Sequence, residues 1–419
     1  MLNEVTMEKV LERENLRAAY LGVKANGGAP GIDGIGVQEM KRYLQRHWNA
    51  IETKLREGHY RPAAVRAVEI PKANGGRRLL GIPTVLDRML QQAILQALGP
   101  SFEEGFSESS YGFRPGRNAH DAVRKAQEYV AAGRSWVVDI DLKNFFDQVN
   151  HDRLMTMVGR KVRDKRLLKL IGEYLRAPMQ SSDGSRRERK AGTPQGGPLS
   201  PLLANIYLDP LDKELEKRGV AFVRYADDIA IFASSERAAE RILWSVMAWL
   251  EKELGLEVNR EKSGTGPSAG SSLLGFRLYE DGRIGISPKA IAKLKERVRE
   301  CWDARQGKTS EQLRAQWRRY IEGWWNYFQL ADWRREVENL SGWIRRHMRK
   351  CFWLRWHHPR GRFQALRRLG VKGRALGLAS CARGAWAMAR HVVVQQALKT
   401  RTLHRHGFII PWQFATAHR

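Results

Sequence analysis

Cysteine is scarce in this chain: three in 419 residues, at Cys301, Cys351 and Cys381. No two of them form a C-x-x-C pair, which argues against a zinc-finger module and against a disulfide framework. Long apolar runs are missing too, and none reaches the roughly 20 residues a membrane-spanning helix needs. The opening Met1-Leu2-Asn3-Glu4-Val5 lacks the basic and apolar regions of a secretory leader, so an intracellular protein is expected. Acidic residues disappear altogether near the end, with no Asp or Glu between Asn339 and Arg419 against 17 Lys and Arg. What is abundant is positive charge: 73 Lys and Arg against 45 Asp and Glu leave a formal +28. An excess of that size predicts a polyanionic partner, nucleic acid first and an anionic membrane surface second.

Ten of the 14 tryptophans lie after residue 300: Trp302, Trp317, Trp324, Trp325, Trp333, Trp343, Trp353, Trp356, Trp386 and Trp412. Aromatics interleaved with cations suit a phosphate-binding surface with rings for stacking. The competing reading is that most of them fill helix cores. A hydrophobic fraction of 42% supports buried cores, and the length suggests two or three domains.

Residues 1–60 read as helical, interrupted by the loop Asn26-Gly27-Gly28-Ala29-Pro30-Gly31-Ile32-Asp33-Gly34. Alternation over 61–83 around Ala73-Asn74-Gly75-Gly76 predicts a β-hairpin with arms Val65 to Pro71 and Arg77 to Ile82. Further strands are expected at Trp136 to Leu142, on both sides of Asp227-Asp228, and at Leu273 to Leu278 and Ile284 to Ile286. Long helices are expected over His151 to Arg176, Leu199 to Lys217 and Glu236 to Leu254. Beyond Pro288 the pattern is helical throughout, ending in a basic helical piece from Lys372. Strands confined to 61–290 with helices beyond predict an α+β body joined to a helical domain.

The chemistry concentrates in Phe222-Val223-Arg224-Tyr225-Ala226-Asp227-Asp228-Ile229-Ala230-Ile231-Phe232-Ala233. Two adjacent carboxylates sit between apolar segments, the pattern of strand, tight turn and strand. Like charges at a hairpin tip repel, and a hard divalent cation held by carboxylate oxygens relieves them. The plain alternative is a solvated acidic turn. In Trp136-Val137-Val138-Asp139-Ile140-Asp141-Leu142, strand alternation puts Asp139 and Asp141 on the face opposite Val138, Ile140 and Leu142. Carboxylates there are costly unless solvated or bound to metal, so this strand is a source for a third ligand.

The basic counterpart is the hairpin with Lys72 on one arm and Arg77 and Arg78 on the other. Such a clip suits a triphosphate, with Lys as a point charge and Arg as a fork; on its own it would be a solvated surface hairpin. Tyr111-Gly112-Phe113-Arg114-Pro115-Gly116-Arg117 reads as a nucleic-acid contact loop carrying Arg114 and Arg117. In Gly192-Thr193-Pro194-Gln195-Gly196-Gly197-Pro198-Leu199-Ser200 the glycines allow close backbone approach, and Gln195 offers both donor and acceptor.

In this order the motifs resemble those of bacterial group II intron reverse transcriptases, also called intron-encoded maturases. The 26–34 loop resembles the family's N-terminal motif. Val68-Glu69-Ile70-Pro71-Lys72 with Leu80-Gly81-Ile82-Pro83-Thr84 resembles the fingers motif, and 111–117 the template-contact motif. Asp139 to Asp147, Gly192 to Asn205 and Tyr225 to Asp228 resemble the successive palm motifs. Leu254-Gly255-Leu256-Glu257-Val258-Asn259 with Lys262, then Leu274-Gly275-Phe276, resembles the late palm. Tyr320-Ile321-Glu322-Gly323-Trp324-Trp325-Asn326-Tyr327-Phe328 resembles the maturase thumb.

The resemblance implies a right-hand polymerase of α+β class: an N-terminal extension of the fingers at 1–60, fingers and palm at 61–290, a helical thumb or maturase domain at 291–371, and a short basic DNA-binding segment at 372–419. In such polymerases the catalytic carboxylate stands five residues before an aromatic gate against the ribose 2′-hydroxyl, a spacing that Asp141 and Phe146 fit. The implied catalytic metal ligands are Asp141, Asp227 and Asp228, holding two Mg²⁺ for which Mn²⁺ can substitute. The backbone carbonyl of Ile140 or Leu142 is a further candidate ligand, Asp139 a supporting residue and Asp147 a structural one. Lys72, Arg77, Arg78, Phe146, Pro194 and Gln195 are assigned to the deoxynucleotide, and Arg114, Arg117, Tyr225 and Lys262 to template and primer.

The implied reaction adds deoxynucleotides to a primer 3′-hydroxyl on an RNA template, with splicing and mobility of a group II intron as the second role. The implied partners are intron RNA, RNA template with DNA primer, target DNA and deoxynucleoside triphosphates, with no membrane. The expected location is the bacterial cytoplasm, at the nucleoid when on target DNA. The three cysteines cannot build the zinc-bound endonuclease of longer relatives, so the compact class without that module is expected.

Overall fold

The computed structural model describes residues 5–71, 77–332 and 334–411. Lys72, the hairpin tip at 73–76, Trp333 and Trp412 lie outside these, and of Arg78 only the backbone is described. The chain divides into two compact units, Met1–Pro267 and Ser268–Arg419. In chain order the strands of the first unit are β1 (Val65–Pro71), β2 (Arg77–Ile82), β3 (Trp136–Ile140), β4 (Met179–Gln180), β5 (Arg186–Arg187), β6 (Ala221–Tyr225), β7 (Asp228–Ala233) and β8 (Gly264–Pro267). The second unit contributes β9 (Phe276–Leu278) and β10 (Ile284–Ile286).

Two four-stranded sheets organise the first unit. One runs β2-β1-β4-β5, with the predicted hairpin arms paired antiparallel and β1 lying parallel to β4. The other runs β6-β7-β3-β8, antiparallel throughout. Its central strand β7 buries Ile229, Ala230, Ile231 and Phe232, because neighbours on both edges and helices Ala119–Ala131 and Glu236–Trp249 cover it. That explains why β7 reads as a continuous apolar run rather than an alternating one. Helix Val85–Glu103 threads the same core with Met89, Leu90, Ile94 and Leu98 buried, and starts where the Thr84 hydroxyl accepts from the Asp87 N–H. A cap of this kind is worth ~1 kcal/mol.

Three helical expectations resolve differently. The stretch from His151 to Arg176 is two helices, His151–Gly159 and Lys165–Arg176. Asp164 separates them: its side chain caps the second helix through the N–H groups of Arg166 and Leu167 and also accepts from the Met7 N–H. The helix beginning at Glu236 widens into a π turn at Leu250–Leu254 before Gly255 ends it in the left-handed region. Past Pro288 there are four longer helices, Pro288–Cys301, Ser310–Phe328, Arg334–Arg355 and Pro359–Arg368. The basic end is then a 3₁₀ stretch, Gly373–Ser380, followed by three six-residue helices.

Candidate active site

Strand β6 ends at Tyr225 and β7 begins at Asp228, with these two residues paired across the turn. Only Ala226 and Asp227 make the connection, and Ala226 adopts a left-handed φ of 58°. For a residue with a Cβ that conformation costs ~1–2 kcal/mol, so the surroundings must hold it. The first support is Arg224, which is fully buried and donates from Nη1 to the Ala226 carbonyl at 3.0 Å. The same guanidinium forms a two-pronged pair with buried Asp212, at 2.7 and 2.5 Å, and donates to Asn205 Oδ1 at 2.9 Å. Asn205 in turn donates to the Gly112 carbonyl at 2.9 Å. The second support is Gly112 itself: a Cβ built there would stand 2.3 Å from the Ala226 nitrogen. The 111–117 loop is also stitched alongside β6, since Tyr111 N–H donates to Arg224 O and Arg224 N–H to Ser109 O.

Above this floor the carboxylates gather. Strand β3 pairs with β7 so that Asp139 faces Ala230 and Ile140 faces Ile229. Asp141 follows directly, two residues from Asp139 as strand alternation requires for one face, and the charges of both act on Asp228. The strand ends at Ile140 rather than Leu142 because the chain turns toward 257–263. There Asp141 N–H donates to Ser263 Oγ at 2.9 Å, and Asp141 O accepts from Asn259 N–H at 2.8 Å. Burial first, and then the charges of Asp227, Asp139 and Asp141, push the Asp228 carboxyl up to about 6. Burial and neighbouring Asp141 push Asp139 up to about 6 as well. Both carboxyls are crowded by protein although each residue keeps open surface. Among the described residues Lys262 is loosely placed beside them, its Nζ 3.9 Å from Asp141 Oδ2.

Hard oxygen donors with uncompensated negative charge fit a hard divalent cation. Among the described residues no three Asp, Glu, His or Cys side chains converge closely enough to chelate one ion as they stand. What fits is the chemistry of the donor set and the shared face of Asp139, Asp141 and Asp228.

Two cavities open beside the turn, of about 770 and 890 Å³, and Phe146, Gln195 and Asp227 line both. The first also takes Tyr225, Asp228, Phe113 and the Asn26-Gly27-Gly28 loop, whose Gly27 and Ala29 carbonyls Arg88 holds. The second takes Asp141, Arg77 and Lys262. Phe146 lies on a short helix, Phe145–Gln148, and its carbonyl accepts from Thr193 N–H at 2.7 Å. Gln195 is pinned to β2, its carbonyl accepting from Gly81 N–H at 2.9 Å. Next to it Gly196 has a φ of 129°, and a Cβ there would stand 2.5 Å from the Gly81 carbonyl.

The remaining predicted site residues have structural partners of their own. Pro194 is buried under its loop, its carbonyl accepting from Ser200 Oγ at 2.7 Å. Arg114 is buried and braces its own loop, donating to Glu103 at 2.8 Å and to the carbonyls of Ser107 and Ser110. Arg117 pairs with Glu108 and sits 5.4 Å over the Tyr111 ring, while the Phe113 ring is exposed. Arg77 pairs with Glu69. Sequence reasoning passed over Arg224, Asp212, Asn205 and Ser263. An Arg inside the otherwise apolar run 221–225, and an Asp on an otherwise buried helix face, were the available signals.

The second unit carries a different chemistry. Trp302, Trp317, Trp324, Trp325 and Trp353 are buried, and the Trp317 indole donates to the Ile409 carbonyl. Cations lie over three rings: Arg362 4.8 Å over buried Trp353, Arg299 5.6 Å over Trp343 and Lys350 4.8 Å over Trp386. Between the latter two rings His347 is pushed down to about 4 by burial and by Lys350, Arg299 and Arg346, so it is neutral at physiological pH.

Comparison with known proteins agrees with this picture. The reverse transcriptase (RNA-dependent DNA polymerase) family matches residues 70–278, and the group II intron maturase-specific domain matches 291–370. Protein YkfC of Escherichia coli (strain K12) is 33% identical over 285 residues, covering 59% of this chain and 74% of YkfC. The group II intron-encoded protein LtrA of Lactococcus lactis subsp. cremoris is 36% identical over 203 residues, 46% of this chain and 32% of LtrA. A 91 kDa protein in the cob intron of Schizosaccharomyces pombe is 32% identical over 251 residues, 58% of this chain and 29% of its own. The aligned stretch thus spans under a third of the latter two relatives.

Proposed function

The chain belongs to the reverse transcriptase family, in its bacterial group II intron-encoded branch, and on that premise we propose that its acidic turn is the polymerase centre. The activity of that family is RNA-directed DNA synthesis, which gives RNA and DNA as partners and a divalent metal ion as the general requirement. In our reading Asp141, Asp227 and Asp228 hold two Mg²⁺, with Asp139 raising the negative field beside them. Bound there, the ions would favour ionisation of the primer 3′-hydroxyl and neutralise the departing pyrophosphate.

The protein's own groups do the rest. The primer 3′-oxygen attacks the α-phosphorus, the bond to the β-phosphate oxygen breaks, and pyrophosphate leaves. Phe146 and Gln195 hold the sugar and base between the two cavities, and Phe146 blocks a 2′-hydroxyl. Arg77, with Lys72 and Arg78, takes the triphosphate. Tyr225 and Phe113 touch primer and template, Lys262 stands beside Asp141, Arg117 faces the template, and Arg114 and Pro194 position the loops that carry these contacts. Group II intron RNA and target DNA are the larger partners, with the cations and exposed rings around Trp343 and Trp386 as the RNA-facing surface.

The observation that carries the reading is that Asp227, Phe146 and Gln195 line both cavities at the acidic turn. The test is primer extension on an RNA template with deoxynucleotides and Mg²⁺. Extension abolished by chelation and restored by Mg²⁺ supports it, and metal-independent extension would sink it. Phe146→Ala is expected to admit ribonucleotides by about tenfold or more over wild type. Unchanged discrimination would remove Phe146 from the gate.

A further inference from the structure

The segment joining β5 to Gly192 is absorbed by none of the roles above, yet it lines the 890 Å³ cavity with Arg187, Arg189 and Lys190. Its two ends are fixed. Arg187 pairs with Met179 in the sheet that also holds the β1–β2 hairpin. At the other end, Gly192 N–H donates to Val149 O at 2.8 Å and Thr193 N–H to Phe146 O at 2.7 Å. The segment therefore spans from the hairpin sheet to the Phe146 helix, along the wall of the cavity that Asp141 and Asp227 also line.

Charge is distributed unevenly around this cavity. Arg77 is paired with Glu69, Lys143 with Glu257 at 2.7 Å, and Lys262 loosely with Asp141. Among the described residues Arg187, Arg189 and Lys190 are in no ion pair. Glu188 between them, and Asp147 on the cavity wall, are the acidic neighbours. Two buried polar atoms here also lack a hydrogen-bond partner, Arg189 Nη1 and Thr193 Oγ1. A guanidinium nitrogen in that state costs free energy until an acceptor arrives. Burial lowers the Arg189 pKa while Asp147 opposes the fall.

We propose that Arg187, Arg189 and Lys190 form an anion-binding arm that grips the β- and γ-phosphates of the incoming nucleotide and holds pyrophosphate after transfer. This goes beyond the hairpin clip and rests on the polymerase reading. Three cations within four residues match a compact polyphosphate better than an extended nucleic-acid backbone, whose charges are spread along the strand. The cavity volume is that of a small-ligand site.

The test compares wild type with the exposed double variant Arg187→Gln/Lys190→Gln, and with Arg189→Gln and Arg189→Lys. Single-nucleotide incorporation is measured against deoxynucleotide concentration, with inorganic pyrophosphate as product inhibitor. KM for the nucleotide and the inhibition constant for pyrophosphate are expected to rise together by about tenfold in the Gln variants. Over the same variants kcat should stay within about threefold, primer–template affinity should be unchanged, and Arg189→Lys should recover part of the loss. The double variant keeps the test decisive if Arg189→Gln fails to fold. Unchanged KM and inhibition constants would overturn the proposal. So would weakened primer–template binding with unchanged nucleotide KM, which would assign the arm to nucleic acid. If wild type extends no primer, the polymerase reading fails separately. Calorimetric binding of pyrophosphate then decides: binding lost in Arg189→Gln supports the arm, and equal binding overturns it.

Discussion

Beneath the Tyr225-Ala226-Asp227-Asp228 turn a guanidinium and a carboxylate are paired in full burial; at the turn itself carboxylates crowd one another. Arg224 and Asp212 are completely buried, and the guanidinium is shared among Asp212, Asn205 and the Ala226 carbonyl. On the opposite side burial and Asp141 push the Asp139 carboxyl up to about 6, and burial with Asp227, Asp139 and Asp141 does the same to Asp228, while Lys262 lies 3.9 Å from Asp141. Crowded carboxylates that line open cavities suit a positive charge supplied from outside the chain. The pairing beneath holds the turn, and in the proposed reading the unpaired carboxylates attract the metal.

That contrast is open to attack from either side. The largest effect is expected from Asp227→Asn or Asp228→Asn, which should lower primer extension by about 10³-fold. Melting temperature should hold or rise, because like-charge repulsion is relieved; full activity in either variant would end the metal assignment. Next is Arg224→Met, which strands the buried Asp212 carboxylate and should cost about 3–5 kcal/mol in urea unfolding. Arg224→Met/Asp212→Leu should recover much of that stability without recovering activity, since the hold on Ala226 O is gone. Equal stability of the single and double variants would show that the pair is not the floor's anchor. Gly112→Ala is expected to displace the turn through its clash with Ala226, lowering extension by about 10²-fold with a loss of stability of only ~1–3 kcal/mol. Wild-type kinetics in that variant would show the loop yields instead of the turn. The smallest effect belongs to Asp139→Asn, expected to lower activity only a few-fold and to change stability by under ~1 kcal/mol. A loss as large as that of Asp227→Asn would move Asp139 from a supporting role to a metal ligand.

Much of the fold is legible in the sequence. The arms of the first hairpin fall at Val65–Pro71 and Arg77–Ile82, as alternation around Asn74-Gly75 predicted. The Asp227-Asp228 turn stands between two strands, and the predicted helix over 199–217 is found at Ser200–Lys217. Local pattern carries such features because side-chain periodicity and turn chemistry act within a few residues. It was silent where distant groups decide. The helix break at Asp164 depends on a cap that also holds Met7. The early end of β3 depends on Ser263 and Asn259, more than a hundred residues downstream. Arg114 reads as a surface cation by composition, and only the fold shows it bracing Glu103, Ser107 and Ser110. The tryptophans after residue 300 split in the same way, with Trp317 and Trp325 buried while the less buried Trp343 and Trp386 meet cations.

The sequence alone determined which kinds of groups this protein brings to its chemistry: paired aspartates at a turn, a second acidic strand, basic loops and a long acid-free end. Those follow from residue types and short-range spacing, which chain order preserves. Only the tertiary structure decided which of them meet. Asp139 and Asp141 come near Asp228 because an antiparallel register joins β3 to β7, and the turn keeps its left-handed Ala226 because Arg224 and Gly112 hold it from below. Pairing register, burial and the reach of a guanidinium are properties of packed elements far apart in the chain, and short-range spacing does not encode them.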